Sequence, residues 1–231
     1  IDTVIETAAG RVPVIAGTGG NATEEAIRLT RHAKESGADA TLQVTPYYNK
    51  PTQEGLYRHF SEVADKGGLP VVLYNVPGRS GREIAVETVA RLAKNSGVAA
   101  VKEAGGSVDR VSAILNCCDI TVVSGDDSLT LPMMSVGARG VISVASNLVP
   151  ERVSAMVHAA LEGKWDETRR AHYELYDLFD ALFVETNPIP VKAAMAMAGM
   201  IAEEYRLPLC ELSENSRAVL RGVMRGIGFE V

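Results

Sequence analysis

The chain has 231 residues, 46% hydrophobic and 23% charged, with 21 Gly and 10 Pro, the composition of a globular protein long enough to bury a large core. A net charge of −6, from 23 Lys+Arg against 29 Asp+Glu with no block of either sign, excludes a basic surface for nucleic acid or anionic lipid. No apolar run approaches the roughly 18 residues of a membrane helix, so no membrane partner is expected.

The opening IDTVIETAAG puts Ile1, Val4, Ile5 and Ala8 on one face of a helix closed by Gly10, so the chain begins inside a helix. It holds neither the basic nor the apolar region of an export signal. From Arg11 onward, short β-branched runs alternate with helical patterns. The runs cover residues 12–17, 40–46, 70–77, 98–104, 120–127 and 140–146, each nearly continuous in hydrophobics, as parallel strands buried on both faces are. Between them, Asn21 or Thr23 is expected to cap a helix ending near Gly37, and Thr52 one ending near Gly67. Ser107 is expected to cap another, and Pro150 fits the first turn of the next.

Strands that alternate with helices make βαβ units and a parallel sheet, either open and doubly wound or closed into a barrel. GTGGNAT (17–23) is glycine-rich but lacks the GxGxxG spacing of a doubly wound dinucleotide fold, and no acidic residue closes a second strand. Polar residues instead follow or close successive runs: Thr18, Tyr48, Tyr74, Lys102, Asp126 and Ser146. That is the distribution of a TIM (β/α)8 barrel, whose chemistry sits at the C-terminal ends of several strands. Six runs stand where the barrel needs eight, so the first two strands are expected to be lacking, a strand–helix–strand of roughly 50–60 residues. After Pro150 only helical patterns follow. The expected domains are a barrel over 1–163, incomplete at its N-terminus, and a helical extension over 164–231 whose Met- and Ala-rich faces suit the barrel or a partner subunit.

Lys102 closes an otherwise apolar strand in VAAVKEAGG. In a low-dielectric site the ammonium form is disfavoured, and the free amine becomes a nucleophile suited to a Schiff base with a carbonyl substrate. Pairing with Glu103 or with a neighbouring strand is the other role open to it. One strand earlier, in YNVPGRS, Tyr74 can place its hydroxyl at the barrel mouth and pass protons to a carbinolamine, or simply fill the core. Arg79, beyond Pro77 and Gly78, offers a planar fork for a substrate carboxylate, or is a solvated surface arginine. Tyr47 and Tyr48 sit in a turn bounded by Pro46 and Pro51, where one can face the site and the other a subunit interface. Asp126 and Asp127 are expected to cap the helix before SLTLPMM rather than to hold magnesium, since no third ligand accompanies them. Cys117, Cys118 and Cys210 are odd in number, two are adjacent, and no His or further Cys stands at ligand spacing. Neither disulfides nor a metal centre is expected, and a reduced cytoplasmic location is.

GTGGNAT, TPYYNKP, YNVPGRS, VKEAGG, SGDD, ARGVISVASN and NPIPVK, in this order and spacing, resemble the dihydrodipicolinate synthase family. That family belongs to the pyruvate-dependent class I aldolases typified by N-acetylneuraminate lyase, and the resemblance spans the whole chain. It implies condensation of pyruvate with aspartate 4-semialdehyde to 4-hydroxy-tetrahydrodipicolinate, on the route to diaminopimelate and lysine, without metal or organic cofactor. By the same resemblance Lys102 is the Schiff-base lysine and Tyr74 the proton-relay tyrosine, while Tyr48 crosses a tight-dimer interface into the neighbouring relay. Arg79 receives the aldehyde substrate's carboxylate, Ile142 makes a backbone contact to pyruvate, and Gly125 joins them as a substrate-binding position. Asn21, Glu25 and Tyr47 resemble part of a lysine feedback site at the dimer interface of a homotetramer, a dimer of dimers. The family's GTTGE motif and a histidine of the lysine site are expected before Ile1. Arginine after YNVPG separates the synthases from the family's rivals, the N-acetylneuraminate and 2-keto-3-deoxy sugar acid lyases; a non-catalytic barrel is the rival of another class.

An arc of six strands is expected to have two open edges, with a gap two strands wide between the strand at Val12 and that at Val141. Such an arc belongs to a longer polypeptide or needs a complementing segment, whereas direct pairing of those two strands would make a smaller closed barrel.

Overall fold

Five of the six apolar runs are strands, and they pair in the order in which they occur. The computed structural model describes residues 1–231. Strands β1 (Ile15–Gly17), β2 (Ala40–Val44), β3 (Val71–Asn75), β4 (Val98–Glu103) and β5 (Thr121–Ser124) form one sheet in which every neighbouring pair is parallel. A doubly wound sheet reverses its strand order at a switch point, whereas a barrel advances by one strand per βα unit. Here there is no reversal, which decides for the barrel. β1 and β5 are the two edges and do not pair with each other, so no small closed barrel forms. β1 is shorter than its run because Pro13 has no N–H and the Val14 N–H donates to Asp39 Oδ2 at 2.7 Å.

The chain divides into two compact units. The first comprises Ile1–Gly125 with Val136–Arg139, the second Asp126–Ser135 with Gly140–Val231. Helices α1 (Asp2–Ala8), α2 (Thr23–Ser36), α3 (Gln53–Gly67), the single turn α4 (Pro77–Ser80), α5 (Val86–Leu92) and α6 (Val108–Cys117) belong to the first. Fully buried Leu56, Phe60, Leu73, Leu92, Val101, Ile114 and Val122 come from both its strands and its helices, and Ile84 from the segment before α5, as a sheet packed under helices requires. Thr52 caps α3 through Gly55 N–H at 3.2 Å, and Ser107 caps α6 through Arg110 N–H at 3.2 Å, as their positions predict. Asn21 and Thr23 do not cap α2, whose N-cap is Ala22 without a side-chain bond. Asn21 Nδ2 donates to Tyr47 O at 3.3 Å and Thr23 Oγ1 lies 2.9 Å from His59 Nδ1, so both side chains are spent on neighbouring elements. After α1 two residues turn left-handed, Ala9 as well as the expected Gly10.

The second unit is helical: α7 (Thr130–Ser135), α8 (Pro150–Leu161), α9 (Trp165–Ala181), α10 (Ile189–Met197) and α11 (Glu214–Gly226). Helices α8 to α11 pack around Met156, Leu175, Leu178, Phe179, Leu182, Leu220 and Met224. Pro150 opens α8 as predicted. The run 140–146 is not the sixth strand. Val141 makes one isolated bridge and Ala145–Asn147 is a 3-10 turn. The cause is Asp127, whose Oδ2 accepts both the Val144 and the Ala145 N–H at 3.0 Å and so withdraws them from any ladder. Asp127 therefore clamps this segment and its carboxylate is not the cap of α7, contrary to expectation. No helix is long and apolar enough to cross a membrane.

His59 on α3 is 6% exposed and its Nε2 has no partner, so burial depresses its pKa from the ordinary 6.5 to about 4. A base with a depressed folded pKa stays neutral in the fold while the unfolded chain takes up a proton below pH 6.5. Stability is therefore complete above pH 6.5 and falls by about 3 kcal/mol as the pH drops towards 4. Urea unfolding at pH 7, 5.5 and 4.5 should show this loss in the parent and not in His59→Gln; parallel curves for the two proteins would exclude it.

Candidate active site

Parallel register and two-residue alternation decide which side chains meet. β2, β3, β4 and β5 place Val44, Tyr74, Lys102 and Val123 in one row of register partners. Tyr74 and Lys102 share a face, and Lys102 Nζ lies 4.2 Å from the centroid of the Tyr74 ring. Lys102 is only 9% exposed. The geometry thus places the Lys102 amine against the face of the Tyr74 ring at the ends of adjacent strands.

Pairing of Lys102 with Glu103 is not the arrangement found. Successive strand residues face opposite sides, and the wholly buried Glu103 carboxylate is occupied on the other face. It accepts from Arg110 Nε at 2.9 Å, Asn75 Nδ2 at 2.8 Å and Gly105 N–H at 2.7 Å. Sequence reading passed over this cluster, although its signal was present: YN in β3 and KE in β4 are two alternating polar pairs at matched strand ends.

Gly125 continues the row after β5, its N–H donating to Glu103 O at 2.8 Å. A Cβ there would stand 2.9 Å from Lys102 Cε and 2.6 Å from Ala104 Cβ. Glycine is thus required for the room that the lysine stem occupies. Arg79 lies exposed in α4, a turn opened by Pro77 and closed by left-handed Gly81. The loop beyond it is tied to the one after β2, since Arg82 Nε donates to Pro51 O at 2.7 Å and Gln53 Nε2 to Glu83 O at 2.8 Å. In that neighbouring loop Tyr48 is 90% exposed with φ +71°, its ring projecting from the surface rather than packing on the sheet.

Asn21 and Tyr47 are brought together, with Asn49 Nδ2 also donating to Asn21 O at 2.9 Å. Glu25 lies on the outer face of α2, 3.5 Å from Arg28. Ile142 belongs to the second unit, on the segment that Asp127 holds. Thr18 is not at a mouth: its hydroxyl is buried against Thr30 at 2.9 Å, Gln43 Nε2 at 2.7 Å and Thr41. The Ser146 hydroxyl turns back on Ser143 O at 3.2 Å. All three cysteines are free thiols.

The sequence pattern of the "Dihydrodipicolinate synthetase family" matches residues 1–225. The 4-hydroxy-tetrahydrodipicolinate synthase of Pelobacter propionicus is 54% identical over 230 residues, 99% of this chain and 79% of the relative. The crystal structure of dihydrodipicolinate synthase from Aquifex aeolicus is 52% identical with a TM-score of 0.95, over 97% of this chain and 78% of that one. The chloride-inhibited enzyme of Acinetobacter baumannii complexed with pyruvate is 43% identical with a TM-score of 0.96, over 98% and 79%. The enzyme of Cyanidioschyzon merolae with lysine bound is 41% identical with a TM-score of 0.94, over 98% and 78%. The fold class is accordingly the TIM (β/α)8 barrel with a C-terminal helical extension, and β1–β5 are consecutive strands of it.

Gly125→Ala should leave the far-ultraviolet dichroism unchanged and slow covalent capture of a carbonyl substrate at Lys102 by roughly 10-fold, because the lysine stem must move away from the new Cβ and a full 1 Å displacement would cost about 100-fold. Capture within twofold of the parent rate would mean that the stem has room to spare.

Proposed function

The chain belongs to the dihydrodipicolinate synthetase family, and we propose that it condenses pyruvate with aspartate 4-semialdehyde through a Schiff base on Lys102. The amine attacks the pyruvate carbonyl carbon to give a carbinolamine, which loses water to form the imine. Loss of a methyl proton gives the enamine, whose carbon attacks the aldehyde; the aldehyde oxygen takes up a proton and becomes the 4-hydroxyl of the product. The second substrate's amino group then displaces Lys102 from the imine carbon, closing the ring and restoring the free amine. The balance is one water released per 4-hydroxy-tetrahydrodipicolinate formed. Lysine itself is the electron sink, so the scheme uses neither metal nor organic cofactor.

The observation that carries this reading is the amine 4.2 Å from the Tyr74 ring at matched strand ends. Tyr74 moves protons on and off the carbinolamine oxygen. Arg79 receives the semialdehyde's carboxylate with its planar fork. Gly125 and the backbone at Ile142 contact pyruvate, and the projecting Tyr48 joins the relay of a neighbouring subunit in a tight dimer, two of which make a homotetramer. The enzyme works in the cytoplasm. Lysine, the end product, binds at Asn21, Glu25 and Tyr47; support comes from the polar link between Asn21 and Tyr47 and from the lysine-bound relative.

Borohydride added with pyruvate should leave a reduced pyruvyl adduct on Lys102, located by peptide mass; an adduct on another lysine such as Lys192 would overturn the assignment. In the forward assay Arg79→Ala should raise the KM for the semialdehyde by roughly 10–100-fold, with pyruvate capture unchanged, as loss of a charge-assisted pair of about 1.5–3 kcal/mol requires. Turnover of N-acetylneuraminate or 2-keto-3-deoxy acids faster than the forward condensation would transfer the chain to the sugar-acid lyases.

Millimolar lysine should lower the condensation rate and raise the melting temperature, and Glu25→Gln should remove both effects. If neither rate nor melting temperature responds to lysine, the feedback site does not exist.

A further inference from the structure

The ionic cluster behind the lysine is not absorbed by the scheme above. Glu103 is 0% exposed, and its three donors come from three places: Asn75 at the end of β3, Arg110 on α6 and the backbone of Gly105. Arg110 also donates to Ile84 O and lies 3.6 Å from Glu83 Oε2, while Asn75 Oδ1 accepts the Ile84 N–H at 3.0 Å. Two strand ends, one helix and the segment before α5 therefore converge on one carboxylate. A buried carboxylate–guanidinium pair is a poor means of gaining stability, because a well-packed apolar pair would do as well or better. What it supplies is direction: each hydrogen bond fixes a distance and an angle.

Register shows what is being directed. Asn75 and Glu103 are partners one step beyond the partners Tyr74 and Lys102. The ladder between β3 and β4 is irregular at its beginning, where Val71 pairs with Val98 but Val72 with Ala100. The early part of the ladder therefore does not hold the later part in place by itself, and a slip of one residue would turn Lys102 to the wrong face. The Asn75–Glu103 bond spans the same two strands at the opposite end, directly against the reacting pair.

We propose that Asn75, Glu103 and Arg110 are positioning residues for the condensation, a clamp on the helix side of the sheet that holds the Lys102 amine over the Tyr74 ring on the other side. The proposal rests on the roles given to Lys102 and Tyr74. None of the three touches substrate; each acts through the strand ends. Misplacement by about 1 Å of a reacting group costs on the order of 100-fold in rate, so loosening the clamp slows imine formation at every folded site. A merely structural role would instead reduce the number of folded sites and leave each one at full speed.

The test is borohydride capture of pyruvate at saturating pyruvate, with the rate read per site and the final amount of adduct counting the competent sites. Asn75→Ala should reduce the rate per site by roughly 10–100-fold. Gly105→Ala is the milder variant, since its Cβ would stand 2.6 Å from Glu103 Oε1 and must displace that carboxylate while all three members remain. It should lower the rate per site by a smaller factor in the same direction. In a Tyr74→Phe background the cost of Asn75→Ala should shrink to within twofold, because the two changes act on one pair of groups. Fewer sites at an unchanged rate, full multiplication of the two costs, or loss of the fold in Gly105→Ala would each overturn the clamp. Peptide mapping keeps the two levels apart: adduct on Lys102 at the parent rate refutes the clamp alone, whereas adduct on another lysine refutes the underlying assignment.

Discussion

Everything at the candidate site depends on two-residue alternation at the paired ends of β3 and β4. Four polar side chains arrive there in sequence, Tyr74 and Asn75 on one strand, Lys102 and Glu103 on the next. Were they on one face, the lysine and the glutamate would meet as an ion pair. Alternation sends the amine and the phenol to one side and the carboxylate, amide and Arg110 guanidinium to the other. The backbone between them separates the Glu103–Arg110 charges from the Lys102 amine. Glycine at position 125, just after β5, then leaves the lysine stem its room.

The same economy of polar groups explains the second unit's entry segment. A run as apolar as residues 140–146 can be a strand or an extended loop, and hydrophobicity alone does not separate the two. Asp127 does, by taking two consecutive backbone N–H groups that a strand would present to alternate neighbours. A carboxylate satisfied by two N–H donors is strong enough to impose a turn, and the 3-10 geometry at Ala145–Asn147 follows from it.

Much of this was legible in the residues. The β-branched runs located all five strands, because strands buried on both faces leave an unbroken apolar signature. Lys102 stood out as a charge at the end of such a run, Tyr74 as a phenol at the end of the run before, and Thr52, Ser107 and Pro150 as the starts of α3, α6 and α8. The misread positions have one feature in common. Asn21, Thr23 and Asp127 each have a short polar side chain beside a helix start, which suits a cap, yet each is engaged by a partner 17 to 36 residues away. Local propensity cannot see such a partner. Glu103 and Arg110 escaped notice for the same reason: seven residues apart in sequence, they become a pair only when α6 folds back over β4.

A second buried polar layer shows why these clusters are tolerated. Thr18, Thr30 and Thr41 gather around Gln43 Nε2 on the helix side of β1 and β2, all of them buried, with only Gln43 Oε1 lacking a partner. Hydroxyls can donate and accept, so the cluster closes on itself at little cost and needs no charge. Near β3 and β4 the corresponding layer is ionic, and the difference follows from what lies across the sheet. Opposite Thr41 and Gln43 there is no reacting group to hold, and short-range hydroxyl bonds suffice. Opposite Asn75 and Glu103 stands the Lys102 amine, 4.2 Å from the centroid of the Tyr74 ring, and there the buried polar contacts are charged and directional.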